Sequence, residues 1–247
     1  MSSPTPLMPT GTGVFARTLR THTHGTPAEL ARRCRDHGIS FVPLLGLWQT
    51  PTADQFRNDR TLDAYADALH AAGVGVWLWG YPHAGREGPF ARAMVLRARR
   101  IRARGLILDP EVSYRGRLAA MRSLIAHVLD ELDESLGVGF SSYGIPRLHQ
   151  RFPWRAAEGI GWGAPQFYRA RPARIPAAMS EWAQLGWTHQ LPVLPTFGAH
   201  GEPGHLRTLI DTASAHPATR GLLFWSWNTT KLRHLRVLED AATRFQG

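Results

Sequence analysis

The segment from residue 74 to residue 111 decides the fold, and it reads VGVWLWGYPHAGREGPFARAMVLRARRIRARGLILDPE. An apolar run with strand character at 74–81 is followed by a helical pattern at 89–104 and by a second apolar run at 105–111. A strand, a helix and a second strand with short connections form one β/α unit of a parallel sheet.

The same alternation continues along the chain on both sides of this segment. Eight such units within about 250 residues predict the α/β class and a single (β/α)8 TIM barrel. The strands are predicted at 13–18, 39–48, 74–81, 105–111, 137–143, 160–168, 189–197 and 220–228. The helices are predicted at 27–37, 61–72, 89–104, 116–135, 175–185, 204–215 and 231–245, with an irregular, partly helical stretch at 148–157.

The barrel is expected to occupy residues 12–247, and residues 1–11 are expected to form a flexible N-terminal arm. A doubly wound open sheet is the alternative architecture. It is disfavoured because the sequence has no strand–GxGxxG–helix pattern and no P-loop.

Composition excludes several classes of protein. Hydrophobic residues make up 43% of the 247 residues and charged residues 19%, which excludes a disordered chain. No apolar run approaches the roughly 18 residues that span a bilayer, so no membrane insertion is expected. The single cysteine, Cys34, excludes an internal disulfide framework and a cysteine-based zinc cluster. No signal peptide is visible, so we expect cytoplasmic synthesis, with release by phage-type lysis or non-classical export.

The formal net charge is +10, and of the 29 basic residues only Lys231 is a lysine. A basic surface favours polyanionic partners. Two opposite charge blocks end neighbouring predicted helices, so they are expected to pair with each other rather than form a nucleic-acid patch. No nucleic-acid-binding motif supports such a patch, and nucleic acid is an unlikely partner. The blocks are Arg92, Arg97, Arg99, Arg100, Arg102 and Arg104, and Asp130, Glu131, Asp133 and Glu134.

Two acidic residues, Asp109 and Glu111, close the fourth predicted strand. Active sites of such barrels lie at the carboxyl ends of the strands. Strand alternation places Asp109 and Glu111 inward at the mouth of the barrel, with Leu106 and Leu108 against the helices. Two carboxyl groups in a partly desolvated mouth separate their pKa values, which supplies the protonated group that a general acid requires.

Other predicted strands end in aromatic and hydrogen-bonding residues. Aromatic faces stack on the C–H faces of a sugar, and polar groups bond its hydroxyls, so these residues predict a carbohydrate site. Trp77 and Trp79 are expected to share one face, as are Trp225 and Trp227, with one pair in the core and the other in the site. The candidate binding residues are Gln166, Tyr168, Ser142, Tyr143, Trp79, Tyr81, Trp225, Trp227 and Asn228.

The seventh predicted strand ends in Leu194-Pro195-Thr196-Phe197 and carries no carboxylate. A glycosidase of the two-carboxylate retaining type requires a second carboxylate about 5 Å from the first. The remaining acids on this side lie in loops, and none is assigned as the nucleophile; they are Asp54, Asp59, Glu87 and Glu202.

Asp-x-Glu closing strand four, a tyrosine closing strand six and a tryptophan closing strand eight resemble the chitinase-type and lysozyme-type barrel glycosidases. The matching residues here are Asp109 and Glu111, Tyr168, and Trp225 or Trp227. Two departures mark a divergent relative: Arg169 follows Tyr168 where Asp is usual, and Arg17 and Arg20 occupy the region of a strand-one aspartate in the lysozyme type.

The resemblance implies hydrolysis of polymers that contain N-acetylhexosamine, with no cofactor and no metal. Glu111 would be the acid and base of a retaining mechanism in which the substrate's own acetamido carbonyl attacks the anomeric carbon. Asp109 would orient that amide, and Tyr168 would hydrogen-bond it. Basic loops favour an anionic polysaccharide, so peptidoglycan is preferred and a chitin-like polymer comes second. The loops carry Arg115, Arg117, Arg147, Arg151, Arg169, Arg171 and Arg174.

Two other interpretations of the function stay open. One is a non-catalytic carbohydrate-binding or structural barrel, associated with a phage or a cell envelope, whose site has decayed. The other is a metal-dependent hydrolase, because His22-Thr23-His24 follows strand one and His83 and His200 lie in loops. It is disfavoured because at least three ligands are required, and strands five and six end without a histidine and strand eight without an aspartate.

Overall fold

The structure is a computed structural model that describes residues 7–19, 25–56, 58–158 and 160–245. Eight parallel strands close into a barrel with helices between them, which confirms the predicted (β/α)8 TIM barrel. The barrel strands are β1 (Gly11–Val14), β2 (Ile39–Gln49), β4 (Gly75–Tyr81), β5 (Gly105–Leu108), β6 (Gly137–Tyr143), β7 (Trp162–Gln166), β8 (Val193–Pro195) and β9 (Gly221–Trp225).

Strand β1 pairs with both β2 and β9 in parallel, and this double pairing closes the barrel. One strand was missed: β3 (Asp54–Phe56) pairs antiparallel with the end of β2, which forms a short hairpin above the barrel. The sequence pattern had predicted a loop here.

Helices cover the outside of the barrel in the predicted order. They are α1 (Pro27–Asp36), α2 (Asp59–Ala71), α3 (Glu87–Arg100), α4 (Leu118–Glu131), α5 (Ile175–Gln184), α6 (Pro203–Ser214) and α7 (Leu232–Ala242). In the described residues of the connection after β6, the helical elements are the short 3-10 turns Pro146–Leu148 and Trp154–Ala157, as its irregular pattern suggested. None of these helices, within the described part of the chain, has both the length and the apolarity of a bilayer-crossing segment.

Several predicted boundaries are wrong by a few residues. Strand β1 begins and ends earlier than 13–18, and β5 ends at Leu108 rather than at 111. The seventh barrel strand, β8, is only three residues long because Pro192 and Pro195 lack the backbone donors that extend a ladder. Of the arm expected at 1–11, residues 1–6 lie outside the described residues. Met8 packs against the barrel interior, and Gly11 begins β1.

The barrel encloses an aromatic inner core that lies below its mouth. Trp77 and Trp162 meet edge to face at 5.5 Å between ring centroids. Glycine makes room for these rings, since a Cβ at position 139 would lie 2.4 Å from the Trp162 ring. Ile107 belongs to this inner core and Leu106 to the outer layer against the helices, as strand alternation predicted.

The arginine-rich helix α3 is held to both neighbouring helices by ion pairs. The predicted pairing with the acidic end of α4 is confirmed for Arg92 with Glu131 at 3.4 Å and for Arg99 with Asp133 at 3.0 Å. The other pairs run to α2 instead and were not predicted. They are Arg97 with Asp59, Arg100 with Asp59 and Asp63, and Arg102 with Asp67.

Candidate active site

Asp109 is the buried centre of the barrel mouth. It follows β5 directly, and only 7% of its surface is exposed. The amide nitrogen of Gln166, at the end of β7, donates a hydrogen bond to Asp109 Oδ1 at 2.7 Å. The same nitrogen lies 3.1 Å from the hydroxyl oxygen of Ser141, which also hydrogen-bonds Asp109. Three neighbouring strands therefore fix one carboxyl group.

Glu111 lies two residues further on and forms the wall of an open cleft. The side chain of Gln166, which donates to Asp109, also lowers the pKa of Glu111, so one amide acts on both carboxyl groups. The cleft has a volume of about 720 Å³ and is also lined by Tyr143, Tyr168 and Phe197. Of the two acids, Asp109 is thus the enclosed one and Glu111 the one that lines the cleft.

Burial raises the pKa of both carboxyl groups above their ordinary values. For Asp109, burial is the main cause and the negative charge of Glu111 the second, while the hydrogen bonds from Gln166 and Ser141 act in the opposite direction. For Glu111, burial raises the pKa, and the Gln166 hydrogen bond and the Arg115 charge oppose it. The pair therefore retains a proton to a higher pH than two exposed acids would.

Three tyrosines around the acid pair remain protonated hydrogen-bond donors. The pKa of Tyr81, Tyr143 and Tyr168 is raised in each case mainly by burial, and the Asp109 and Glu111 charges add to that rise. A neutral phenol can donate to a carbonyl oxygen or a sugar hydroxyl. We call the part of the mouth that holds Asp109, Glu111 and these tyrosines the cup. It combines two acids with several neutral hydrogen-bond donors.

Aromatic rings line the cleft and pack beside it. Tyr168 and Phe197 both line the cleft, with 5.9 Å between their ring centroids. Trp225, at the end of β9, is partly exposed and lies 6.0 Å from Tyr168 and 5.2 Å from Trp79 between ring centroids. Trp79 is fully buried and packs against Trp225, so it is not exposed to the cleft.

Three predicted site residues face elsewhere. Ser142 is fully buried and donates to the carbonyl of Pro110 at 2.9 Å, whereas its neighbour Ser141 faces the acids. Trp227 is 4% exposed and packs in the outer layer, because β9 ends at Trp225 and period-two alternation does not continue. The Trp225–Ser226 peptide bond is cis. Asn228 lines a separate hollow beside Thr229.

Sequence reasoning missed several residues at the mouth. Ser141 shares the face of Tyr143 on β6, and that alternation was the available signal. Trp48 stacks on Tyr81 at 4.3 Å with the rings 8° from parallel. His149 stacks on Tyr143 at 3.8 Å, yet it lies in the irregular stretch, where no periodicity points to it.

The other acids considered as nucleophiles are held away from the cup. Asp54 pairs with Arg86 at 2.9 Å, and Glu202 pairs with Arg233 at 2.7 Å. Glu87 accepts a hydrogen bond from the backbone of Gly85 at 2.7 Å. Asp59 joins the ion pairs of α3. Asp109 and Glu111 are therefore the two carboxyl groups that the described residues bring to this mouth.

The histidines considered as metal ligands do not converge in the described residues. His22 and His24 lie outside the described ranges. His83 donates to the carbonyl of Ala84 at 3.0 Å, and His200 lies 3.2 Å from His205. Within the described ranges, no three His, Cys, Asp or Glu side chains are arranged to hold a metal ion.

No protein-family model matches the sequence, and no curated protein is significantly similar to it. Solved structures are similar in fold. A β-1,4-mannanase matches with a TM-score of 0.68 and 10% identity over 95% of this chain and 98% of its own. The spore cortex-lytic enzyme SleL of Bacillus cereus matches with a TM-score of 0.69 and 8% identity over 93% of this chain and 73% of its own.

A third similar structure is the endo-β-N-acetylglucosaminidase of Cordyceps militaris, with a TM-score of 0.63 and 10% identity over 96% of this chain and 91% of its own. It is a variant in complex with fucosyl-N-acetylglucosamine-Asn, and the variant replaces an aspartate and a glutamate two positions apart by their amides. At these identities, the likeness shows a shared barrel fold.

Proposed function

We propose that the chain is a retaining glycoside hydrolase that cleaves polysaccharides containing N-acetylhexosamine, with peptidoglycan preferred over a chitin-like polymer. One observation carries the proposal. The Gln166 amide donates to Asp109 and lowers the pKa of Glu111 at a cleft lined by tyrosine and phenylalanine rings. An enclosed acid beside one that lines the cleft, with neutral phenol donors around them, suits general acid catalysis on a sugar.

Glu111 is the acid and then the base. It protonates the glycosidic oxygen as the C1–O bond breaks, and the substrate's acetamido oxygen forms a bond to the anomeric carbon. Glu111 next takes a proton from water, whose oxygen opens the cyclic intermediate and restores the acetamido group. Because burial raises the pKa of both carboxyl groups, the pair retains a proton for the first step.

Asp109 and Tyr168 bind and orient the acetamido group of the substrate. Asp109 orients the amide N–H and stabilises the positive charge that develops as the carbonyl attacks. Tyr168 donates to the acetamido oxygen, and Trp225 supplies an apolar face for the sugar ring. Gln166 holds Asp109 in place, so that its free oxygen can meet the substrate.

A substrate nucleophile is favoured over an enzyme nucleophile. The end of β8 offers Thr196, whose hydroxyl lies 3.0 Å from the carbonyl oxygen of Trp225, instead of a carboxylate. This feature argues against the two-carboxylate arrangement. The fungal glucosaminidase supports the same choice, since its altered Asp and Glu have the spacing of Asp109 and Glu111. The cortex-lytic neighbour and the basic cleft favour peptidoglycan.

The test is release of reducing ends from insoluble peptidoglycan and colloidal chitin. The wild type is expected to cleave, and Glu111→Gln is expected to lose at least about 100-fold in rate while it still binds the polymer. Glu134→Gln is the matched control, because Glu134 is exposed beyond the end of α4, and it should cleave like the wild type. Full activity of Glu111→Gln would eliminate the assignment.

A non-catalytic carbohydrate-binding or structural barrel is the second candidate. It is favoured by one departure from the resembling enzymes, the exposed Arg169 that follows Tyr168 in the cleft. Binding of the wild type to both polymers without any release of reducing ends would support this candidate against hydrolysis.

A further inference from the structure

The cleft beside Glu111 continues into a strongly basic surface. Its far side is lined by Arg169, Arg171 and Arg174. A second hollow of about 500 Å³ shares Leu148 and His149 with the cleft and is lined by Arg115, Arg147 and Arg151. We call Arg115, Arg151, Arg169, Arg171 and Arg174 the arginine groove. Among the described residues that line either hollow, Glu111 is the one acid.

The arginine groove differs from the arginine-rich face of the helices. On α3, arginines are neutralised by acids of α2 and α4. In the groove, no member lies within 4.0 Å of an acidic side chain of the described residues. Its neighbour Arg147 is excluded from the groove because it pairs with Glu181. Isolated arginines without an acidic partner occur elsewhere, such as Arg60, but here three line the cleft and two line the hollow that adjoins it.

Arg115 is held in place where the two hollows meet. Its guanidinium lies 5.0 Å from the centre of the Tyr143 ring, and its Nη2 lies 3.4 Å from Nδ1 of His149. His149 is itself stacked on Tyr143. Burial and the Arg115 charge lower the pKa of His149, so that the imidazole is neutral and can accept from the guanidinium. The guanidinium keeps other donors for a ligand, and a fixed cation loses less entropy on binding.

We propose that the arginine groove is a subsite for an anionic substituent, a carboxylate or a phosphate, that the glycan carries beside the bond to be cleaved. Guanidinium groups bind both oxyanions through paired N–H donors. The inference rests on the proposed function for the cleavage itself and adds that the preferred glycan is anionic. A neutral polymer would leave the cations of the groove without an anionic ligand.

A substituent fits the groove better than a nucleic-acid strand does. The arginines lie on one side of a cup whose other walls are tyrosine and tryptophan. A sugar can place its ring in the cup and its charged group on the arginines. Tight binding of a nucleic acid is thus an outcome that would count against the proposal.

The experiment measures binding in the Glu111→Gln background, so that it does not depend on turnover. The probes are soluble glycan strands freed of peptides, which keep one carboxylate per disaccharide, and the same strands after methyl esterification. A second pair of probes carries phosphodiester polymers or has had them removed by acid. We compare Arg115→Gln and Arg171→Gln with the control Arg122→Gln, which alters an exposed arginine of α4 outside both hollows.

The proposal expects the carboxylate or the phosphodiester probe to bind at least about tenfold more tightly than its neutralised form, with that advantage reduced by salt. Each groove variant should lose most of this advantage, and Arg122→Gln should keep it. Arg171 is exposed and outside the Tyr143 stack, so its variant tests charge without disturbing packing. Equal affinity for charged and neutral strands, or tighter binding of a single-stranded oligonucleotide, would overturn the subsite.

The two proposals fail in different ways. Charge-dependent binding without cleavage by the wild type would retain the subsite and remove the hydrolase. Cleavage of esterified and free strands at the same kcat/KM by the wild type would retain the hydrolase and remove the subsite.

Discussion

Gln166 donates a hydrogen bond from its amide nitrogen to Oδ1 of Asp109 at 2.7 Å, across 57 positions of the chain. The same side chain lowers the pKa of Glu111. The Gln166 amide therefore opposes the effect of burial on both carboxyl groups. The acid pair therefore depends on a neutral residue of another strand, and variants of that residue test the arrangement without removing either acid.

Gln166→Leu removes the amide that donates to Asp109 and keeps a similar side-chain volume. Because that amide lowers the pKa of both carboxyl groups, the basic limb of the kcat/KM profile should move to higher pH. Hydrogen bonds to charged groups contribute about 1.5–3 kcal/mol, which corresponds to a loss of roughly 10- to 100-fold in kcat/KM. The control is Gln184→Leu at the exposed end of α5. An unshifted pH profile in Gln166→Leu would contradict this role.

Asp109→Asn should make the protein more stable at neutral pH and remove its activity. A carboxyl group whose pKa is raised by folding binds its proton more tightly in the folded state, so stability falls as pH rises from the unfolded pKa through the folded pKa. Asparagine carries no charge, and its carbonyl can still accept from Gln166. Thermal unfolding at pH 7 should show a higher Tm for the variant, by roughly 2–4 °C for each kcal/mol of relief.

The difference in Tm between Asp109→Asn and the wild type should shrink as the pH falls towards about 4, the ordinary aspartate pKa. Both proteins then carry a neutral group at position 109. Asp130→Asn, at an exposed position on α4, should show no such pattern. A variant that is less stable than the wild type at pH 7 would speak against a costly buried charge at position 109.

Tyr168→Phe tests the proposed donor to the acetamido oxygen. The ring contacts with Phe197 and Trp225 remain, so the fold and the Tm should change little. Loss of one donor in the cup should lower kcat by roughly 10- to 100-fold with a smaller change in KM. Tyr114→Phe is the matched control, because the Tyr114 hydroxyl is buried without a partner among the described residues. Equal losses in both variants would point to packing instead of donation.

Gly139→Ala tests the inner core below the mouth. The added methyl group would lie 2.4 Å from the Trp162 ring, and overpacking of this kind costs about 1–3 kcal/mol. Chemical unfolding should show this loss. Gly204→Ala in α6 meets no atom within 4 Å and should raise stability by roughly 0.5–1 kcal/mol instead. If Gly139→Ala left the free energy of unfolding unchanged, the interior would be packed less tightly than described.

Much of the barrel could be predicted because each strand obeys a local rule. Alternation placed Ile107 inside and Leu106 outside, and burial follows that assignment. The rule stops where a strand ends. Trp227 lies beyond the end of β9 and packs outward. The prediction that it shares one face of the strand with Trp225 is therefore wrong. The hairpin strand β3 was missed because three residues carry too little pattern to separate a strand from a loop.

The positions of the two acids at the mouth could be predicted from the sequence, but the residues that contact them could not. Asp109 and Glu111 were located from the end of one strand, whereas their contacts come from strands far along the chain. The choice of Ser142 over Ser141 shows the difference, since one residue of register decides which hydroxyl faces the acids. The Arg115–His149–Tyr143 stack joins two loops and a strand, and no local periodicity records such a contact.

The most direct measurement is the anomeric configuration of the first product, followed by NMR, with N-acetylated and chemically de-N-acetylated forms of one glycan as substrates. The account predicts cleavage of the N-acetylated form with retention, and loss of cleavage when the acetamido group is removed. Inversion at the anomeric carbon, or equal cleavage of the de-N-acetylated form, would contradict participation of the substrate beside Asp109 and Glu111.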